Sequence, residues 1–327
     1  MTFPNYIKMA PMAGLAGLGG GAAALTMGFA IPYSTGTGEW YGSRGCWGGG
    51  TTGSFTDTIG YVTISSTGDA SDFGDLTGTR HALCSTSNGS RGVWAGGYSS
   101  SDVIDYVTIG STGDATDFGD LIDGIYSVGA CCDGNRGVFG GGIQGASSTR
   151  DYIQYISIAT TGNSTDAANL SQARDGLGAV SDGTKAVFAG GYASGQNNTI
   201  DYTTIATLGD ASDFGDLTQA RSPASSACSS TSRGLFAGGS AGSSNSDVID
   251  YITIASTGDA TDFGDLSEVK EGLGGCSNNT RGVFGGGINH PSYKNALEYV
   301  TIGSTGNASD FGDLTISVRS PAACAGD

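Results

Sequence analysis

Four sets of residues in this sequence could do chemistry, and their types and spacing limit what that chemistry would be. Its two histidines, His81 and His290, occupy non-equivalent places. No GxSxG motif and no phosphate-cradling loop with the right flanking elements accompanies them. The chain is therefore read as no enzyme, with no cofactor. Of seven cysteines, Cys131, Cys228 and Cys276 each stand five residues before an RG dipeptide, and Cys324 falls where that pattern would next recur. Val180 takes the same place once, so these are expected to be small buried apolar side chains rather than disulfides or metal ligands. There is no CxxC or Cys/His cluster to suggest zinc. Aspartates recur as Asp69, Asp72, Asp75 and as Asp259, Asp262, Asp265. Clustered carboxylates could hold calcium, but the spacing is not that of an EF-hand, and Asn163, Asn169 and Asn307 replace members. Turn capping by side-chain-to-backbone bonds is the expectation. Lastly, Arg44, Arg91, Arg136, Lys185, Arg233 and Arg281 provide a cation at equivalent places. With one acidic turn per cation, pairing between neighbouring units is expected, in preference to a ring that recruits an anion.

The elements that must position these residues are repeats. The stretch IDYITIASTGDATDFGDL at 249–266 has close copies starting at Ile59, Ile104, Ile153, Ile200 and Leu297, and an RG[VL][WF]xGG-type signature precedes each. The signatures begin 47, 45, 49, 48 and 48 residues apart. Such a period belongs to propellers and solenoids. Each unit reads as four short strands: a small-residue strand such as RSPASSACSS, the RG strand ending in diglycine, the alternating IDYITIAS strand and a short DFGDL strand. Both faces of the third strand are partly apolar, as in a sheet sandwiched between sheets. The first RG strand lacks a small-residue partner, whereas the chain ends on one, RSPAACAGD. The fold expected is all-β: a six-bladed β-propeller of four-stranded blades over 36–327, its first blade closed by the C-terminal strand.

The net charge of −17 repels phosphate backbones and anionic membranes, so no nucleic acid is expected as partner. Residues 9–32 carry no charge and follow Lys8. As a signal peptide or a membrane span this Gly/Ala-rich run is weakly apolar. The preferred reading is an N-terminal anchoring leader, residues 1–35, that packs on another subunit or protein and makes the chain part of a homo-oligomer or larger assembly. What differs among the units is the connection after the diglycine. Specificity is expected there, on loops borne by a rigid scaffold, with Tyr98, Gln144, Arg150, Tyr192, Asn197, His290, Tyr293 and Lys294 as candidate ligand- or partner-binding residues.

The apolar strand into diglycine (VFAGG, VFGGG, LFAGG), the following tyrosine (Tyr61, Tyr106, Tyr155, Tyr202, Tyr251, Tyr299), a later aromatic and a basic residue opening the next strand (Arg80, Arg174, Arg221, Lys270, Arg319) resemble the kelch repeat family of β-propellers. That family usually has Trp at the later aromatic. Here it is Phe73, Phe118, Phe214, Phe263 and Phe311, with Ala168 in the third unit, which marks a divergent branch. The STGDATDFGDL repeat also resembles the kelch-like repeats of structural proteins of marine tailed bacteriophages, particularly those infecting cyanobacteria. That resemblance implies a virion component (tail, fibre or capsid decoration) assembled in host cytoplasm. It would contact other virion proteins through residues 1–32 and a host-surface glycan or protein through its loops. The alternative is a secreted or surface bacterial kelch-type module that binds glycan or protein.

Overall fold

The computed structural model describes residues 40–99, 101–222 and 226–327. The leader predicted over 1–35 lies outside them. Every regular element among the described residues is a strand; twenty-four of the strands form six antiparallel blades of four, and five two-residue strands in the loops add the hairpins Ile143–Gln144 with Ser148–Thr149 and Ser240–Ala241 with Ser244–Asn245 and the strand Ser292–Tyr293 on the sixth blade. From the axis outward, blade 2 consists of Cys84–Ser87, Arg91–Ala95, Val103–Thr108 and Thr116–Asp120. Blade 3 is Gly129–Cys132, Arg136–Gly140, Tyr152–Ser157 and Thr165–Asn169. Blade 4 is Gly178–Ser181, Lys185–Ala189, Thr199–Thr204 and Ser212–Asp216, and blade 5 is Ser226–Ser229, Arg233–Ala237, Val248–Thr253 and Thr261–Asp265. Blade 6 is Glu271–Ser277, Arg281–Asn289, Ala296–Thr301 and Ser309–Asp313. Blade 1 takes Arg44–Gly48, Thr58–Thr63 and Ser71–Asp75 from the start of the described chain and its inner strand, Ala322–Gly326, from the end. Cys46 pairs with Tyr61 on one side and Cys324 on the other, so the ring closes as the unpaired first and last strands anticipate.

The core lies between blades. Its apolar residues form six clusters, each shared by two neighbouring sheets; one joins Leu235, Ile249 and Phe263 of blade 5 to Leu273, Phe284 and Val300 of blade 6. This is why the third strand is apolar on both faces. The cysteines are all buried, as expected. Close approach explains them: a Cβ on Gly282 would stand 2.5 Å from Cys228 Sγ of the preceding blade, and one on Gly234 2.5 Å from Val180 Cγ2. The glycine of each RG pair makes room for one small inner-strand side chain of the neighbouring blade: Cys228, Cys276, Cys324, Val180 or the methyl of Thr86.

Hydrogen bonds repeat around the ring at the same joints. The six RG cations do pair between blades, but with backbone carbonyls in place of the acidic turns anticipated from sequence: Arg44 donates to Ile109 O at 2.6 Å, Arg91 to Ile158 O at 2.9 Å, and Arg281 to Ile64 O at 3.0 Å across the closure. A carbonyl end of a neighbouring strand is within reach where the turn carboxylate is not. Each cation also lies over its own blade's tyrosine, as Arg233 does over Tyr251 at 4.6 Å. The acidic turns bond side chain to backbone as expected, but across the joint. Asp114 Oδ1 accepts from Asp75 N–H at 3.1 Å, Asn163 from Asp120 at 3.0 Å, and Asp69 from Asp313 at 3.1 Å. Asparagine serves because only an acceptor is required.

The register corrects one detail of the repeat. Ala167 stands at the phenylalanine position, while Ala168, opposite Ile153, replaces the glycine that elsewhere pairs there, as Gly119 pairs with Ile104. Five such glycines have φ of 145–147° and sit so close to the next blade that a Cβ would meet a glycine backbone atom at 2.5–2.6 Å. Ala168 cannot accept that approach. The facing turn is rebuilt: Leu208 takes φ 42°, donates to Thr204 O at 2.8 Å and joins Ala168 in one apolar cluster.

Candidate functional site: one mouth of the axial channel

The residue that opens each inner strand is a buried cation in most blades. Arg174 stands 3.0 Å from Asp201, Arg221 2.8 Å from Asp250 and Lys270 3.1 Å from Glu298, and Arg80 pairs with Asp105. Both partners of each pair are buried, on the same blade. Blade 3 substitutes neutral Ile125 and Gln154 at both places at once. In blade 1 the acid's place is Gly60, and Arg319, lacking that partner, instead donates to Glu271 Oε1 at 2.8 Å. The internal match of acid to base identifies these residues as structural anchors of the strand openings.

Anchoring brings the next residue of every blade to the mouth of the channel: His81, Tyr126, Asp175, Ser222, Glu271 and Ser320. Five of them line a cavity of about 310 Å³ together with Arg319, Tyr98 and Ser127; Glu271 stands behind Arg319. Its floor is the ring of equivalent inner-strand residues Ser85, Ala130, Ala179, Ala227, Gly275 and Ala323, whose small size leaves space at the axis. At the other mouth Trp40 and Tyr41 border a smaller space of about 90 Å³, and Trp40 packs so tightly on Gly183 that a Cβ there would stand 2.1 Å from its ring. The cavity at the first mouth is thus the larger and the more polar of the two, and aromatic rings border the other.

An aromatic cluster runs from the rim into the cavity. Phe55 stacks on His81 with centroids 4.4 Å apart, Tyr98 lies 4.9 Å from His81 and 5.8 Å from Phe55, and Tyr126 lies 5.1 Å from Tyr98. Phe55 is 39% and Tyr98 46% exposed. Burial, reinforced by Arg319, lowers the His81 pKa, so the imidazole is neutral at pH 7, and its Nδ1 is buried without a hydrogen-bond partner. Burial raises Asp175 to about 6. The phenol of Tyr126 is raised by burial, then by Tyr98 and Asp175, and donates to Gly145 O at 3.1 Å.

Of the eight loop residues singled out from sequence, Tyr98 lines the cavity. His290 comes near it through Glu271, 3.2 Å from its Nε2. The others are engaged elsewhere. Gln144 accepts from Arg150, which also reaches Ser148 Oγ at 2.9 Å, and Lys294 bonds Glu268 at 2.8 Å. Asn197 Oδ1 holds the Thr199 N–H at 2.7 Å. Tyr293 sits in a short strand against Ile288, and Tyr192 is 46% exposed, its backbone paired with that of Asp175. Sequence reasoning weighed His81 only for catalysis and passed over Tyr126, Asp175, Ser222, Glu271 and Ser320. Their signal was present: immediately after the repeated basic position, the residue type changes from unit to unit. The chain matches no protein-family model and no curated protein.

Proposed function

We propose that this propeller is a non-enzymatic virion structural and adhesion protein, of tail, fibre or capsid decoration, anchored through its N-terminal segment and binding a host-surface or virion partner at the open channel mouth. The observation that carries the binding role is the mouth itself. A molecule built from six similar units places polar residues of varying type at one equivalent position on each, and five of the six converge on one cavity. A rigid ring that presents such a site suits recognition, since it holds the binding groups without an ordering cost. The virion role is supported by the resemblance of the STGDATDFGDL repeat to marine phage structural proteins.

The exposed aromatic rim suits equally a secreted or surface bacterial module, and one experiment separates the two. Tagged full-length protein and a variant lacking residues 1–32 are expressed during phage infection, and purified particles are sedimented. The full chain is expected in the particles and the truncated chain, still folded, outside them. Absence of the full chain from particles would refute the virion role.

A further inference from the structure

We infer that the open mouth binds the terminal ring of a neutral sugar at the end of a surface glycan. This deepens the binding role proposed above and rests on it. The argument starts from what the cavity leaves unsatisfied. Among the described residues His81 Nδ1 is buried without a partner, and the partly buried Asp175 carboxyl accepts no hydrogen bond. A buried polar atom such as the imidazole nitrogen costs free energy until it is satisfied, and the carboxylate is free to accept from a ligand. Arg319 adds donors, and the Ser222 and Ser320 hydroxyls can both donate and accept. A ligand that meets this mixture in one small volume must itself carry several hydroxyls on adjacent atoms. About 310 Å³ is at the small end of ligand pockets, roughly 300–1,000 Å³, which suits a single ring rather than an inserted peptide.

Charge narrows the class. Arg319 is paired with Glu271, Asp175 ionises above about pH 6, and the whole chain carries −17, so phosphate, sulfate or carboxylate ligands meet net repulsion. A neutral polyol meets no such repulsion. The rim supplies the remaining feature: Tyr98 and Phe55 offer exposed aromatic surface beside the polar residues of the mouth, and a pyranose has an apolar C–H face to lay against such a ring while its hydroxyl edge turns inward. Exposed aromatic area costs least when a ligand covers it.

The test uses the full chain and a panel of methyl α- and β-pyranosides of glucose, galactose and mannose, with choline as the cationic comparison, in saturation-transfer NMR. At least one pyranoside is expected to receive saturation at its ring protons. Tyr98→Ala and Asp175→Asn should weaken that binding at least tenfold, while Tyr192→Ala, at an exposed tyrosine that does not line the cavity, leaves it unchanged. No transfer to any pyranoside, transfer to choline alone, or sugar binding indifferent to both cavity substitutions would overturn the inference. Sedimentation with particles is scored separately, so a protein that enters virions yet ignores every sugar refutes the sugar and leaves the virion role. One that binds sugar but never enters particles does the reverse.

Discussion

Arg221 and Asp250 show how a fully buried charge is tolerated. The guanidinium donates to Val248 O at 2.6 Å and Phe236 O at 3.0 Å as well as to the carboxylate, whose other oxygen takes the Thr218 hydroxyl at 2.6 Å. Burial lowers the pKa of Arg221, and the neighbouring Asp250 opposes that shift. Removing one partner strands the other. Arg221→Ile is expected to cost about 3–5 kcal/mol, read as a shift in the urea unfolding midpoint. The combined Arg221→Ile, Asp250→Gln variant reproduces the Ile125 and Gln154 of blade 3, and should recover most of that loss. If the double variant were no better than the single, the match of acid to base between blades would not reflect energetic coupling.

Strands and turns meet the same test at the joint of blades 3 and 4. Five joints carry a bond from a turn glycine to the outer-strand phenylalanine, such as Gly113 N–H to Phe73 O at 2.8 Å. The sixth has lost both the phenylalanine, at Ala167, and the glycine, at Ala168, and Leu208 fills the space. Its equivalent in blade 5, Thr257, is exposed. Leu208→Thr should therefore cost about 2–5 kcal/mol of stability by calorimetry, as a buried leucine truncation does. Thr257→Ala should stay within about 0.5 kcal/mol. Equal effects at the two sites would mean that the rebuilt joint does not depend on Leu208.

For the molecule as a whole, closure is the decisive contact. Ala322–Gly326 gives blade 1 its inner strand, Asp327 Oδ1 accepts from Ser43 N–H at 2.6 Å, and Asp327 N–H reaches Gly89 O at 2.6 Å. Truncation after Ser320 would expose the edge of Arg44–Gly48 and the cluster of Cys46, Ile59 and Trp94, and remove part of the cavity floor. We expect loss of the single cooperative thermal transition together with aggregation, followed by circular dichroism and light scattering. An unchanged transition would show that six blades stand without the closing strand.

The sequence alone determined the number of blades, the order of their strands, their closure and the burial of the cysteines, because each is written locally. Alternation, tight glycine turns and a period of some 45–49 residues specify one blade at a time, and the unmatched strands at residues 44–48 and 322–326 specify the seam. Tertiary structure decided the rest. That Arg44 would bond a carbonyl of the next blade, that Asp114 would hold the backbone of the blade before, and that Ala168 and Leu208 compensate each other depend on how neighbouring sheets are spaced. The site itself depended on it most. His81, Tyr126, Asp175, Ser222, Glu271 and Ser320 stand 45–49 residues apart in the chain, and only closure of the ring brings five of them to one cavity, with Glu271 holding the Arg319 that completes it.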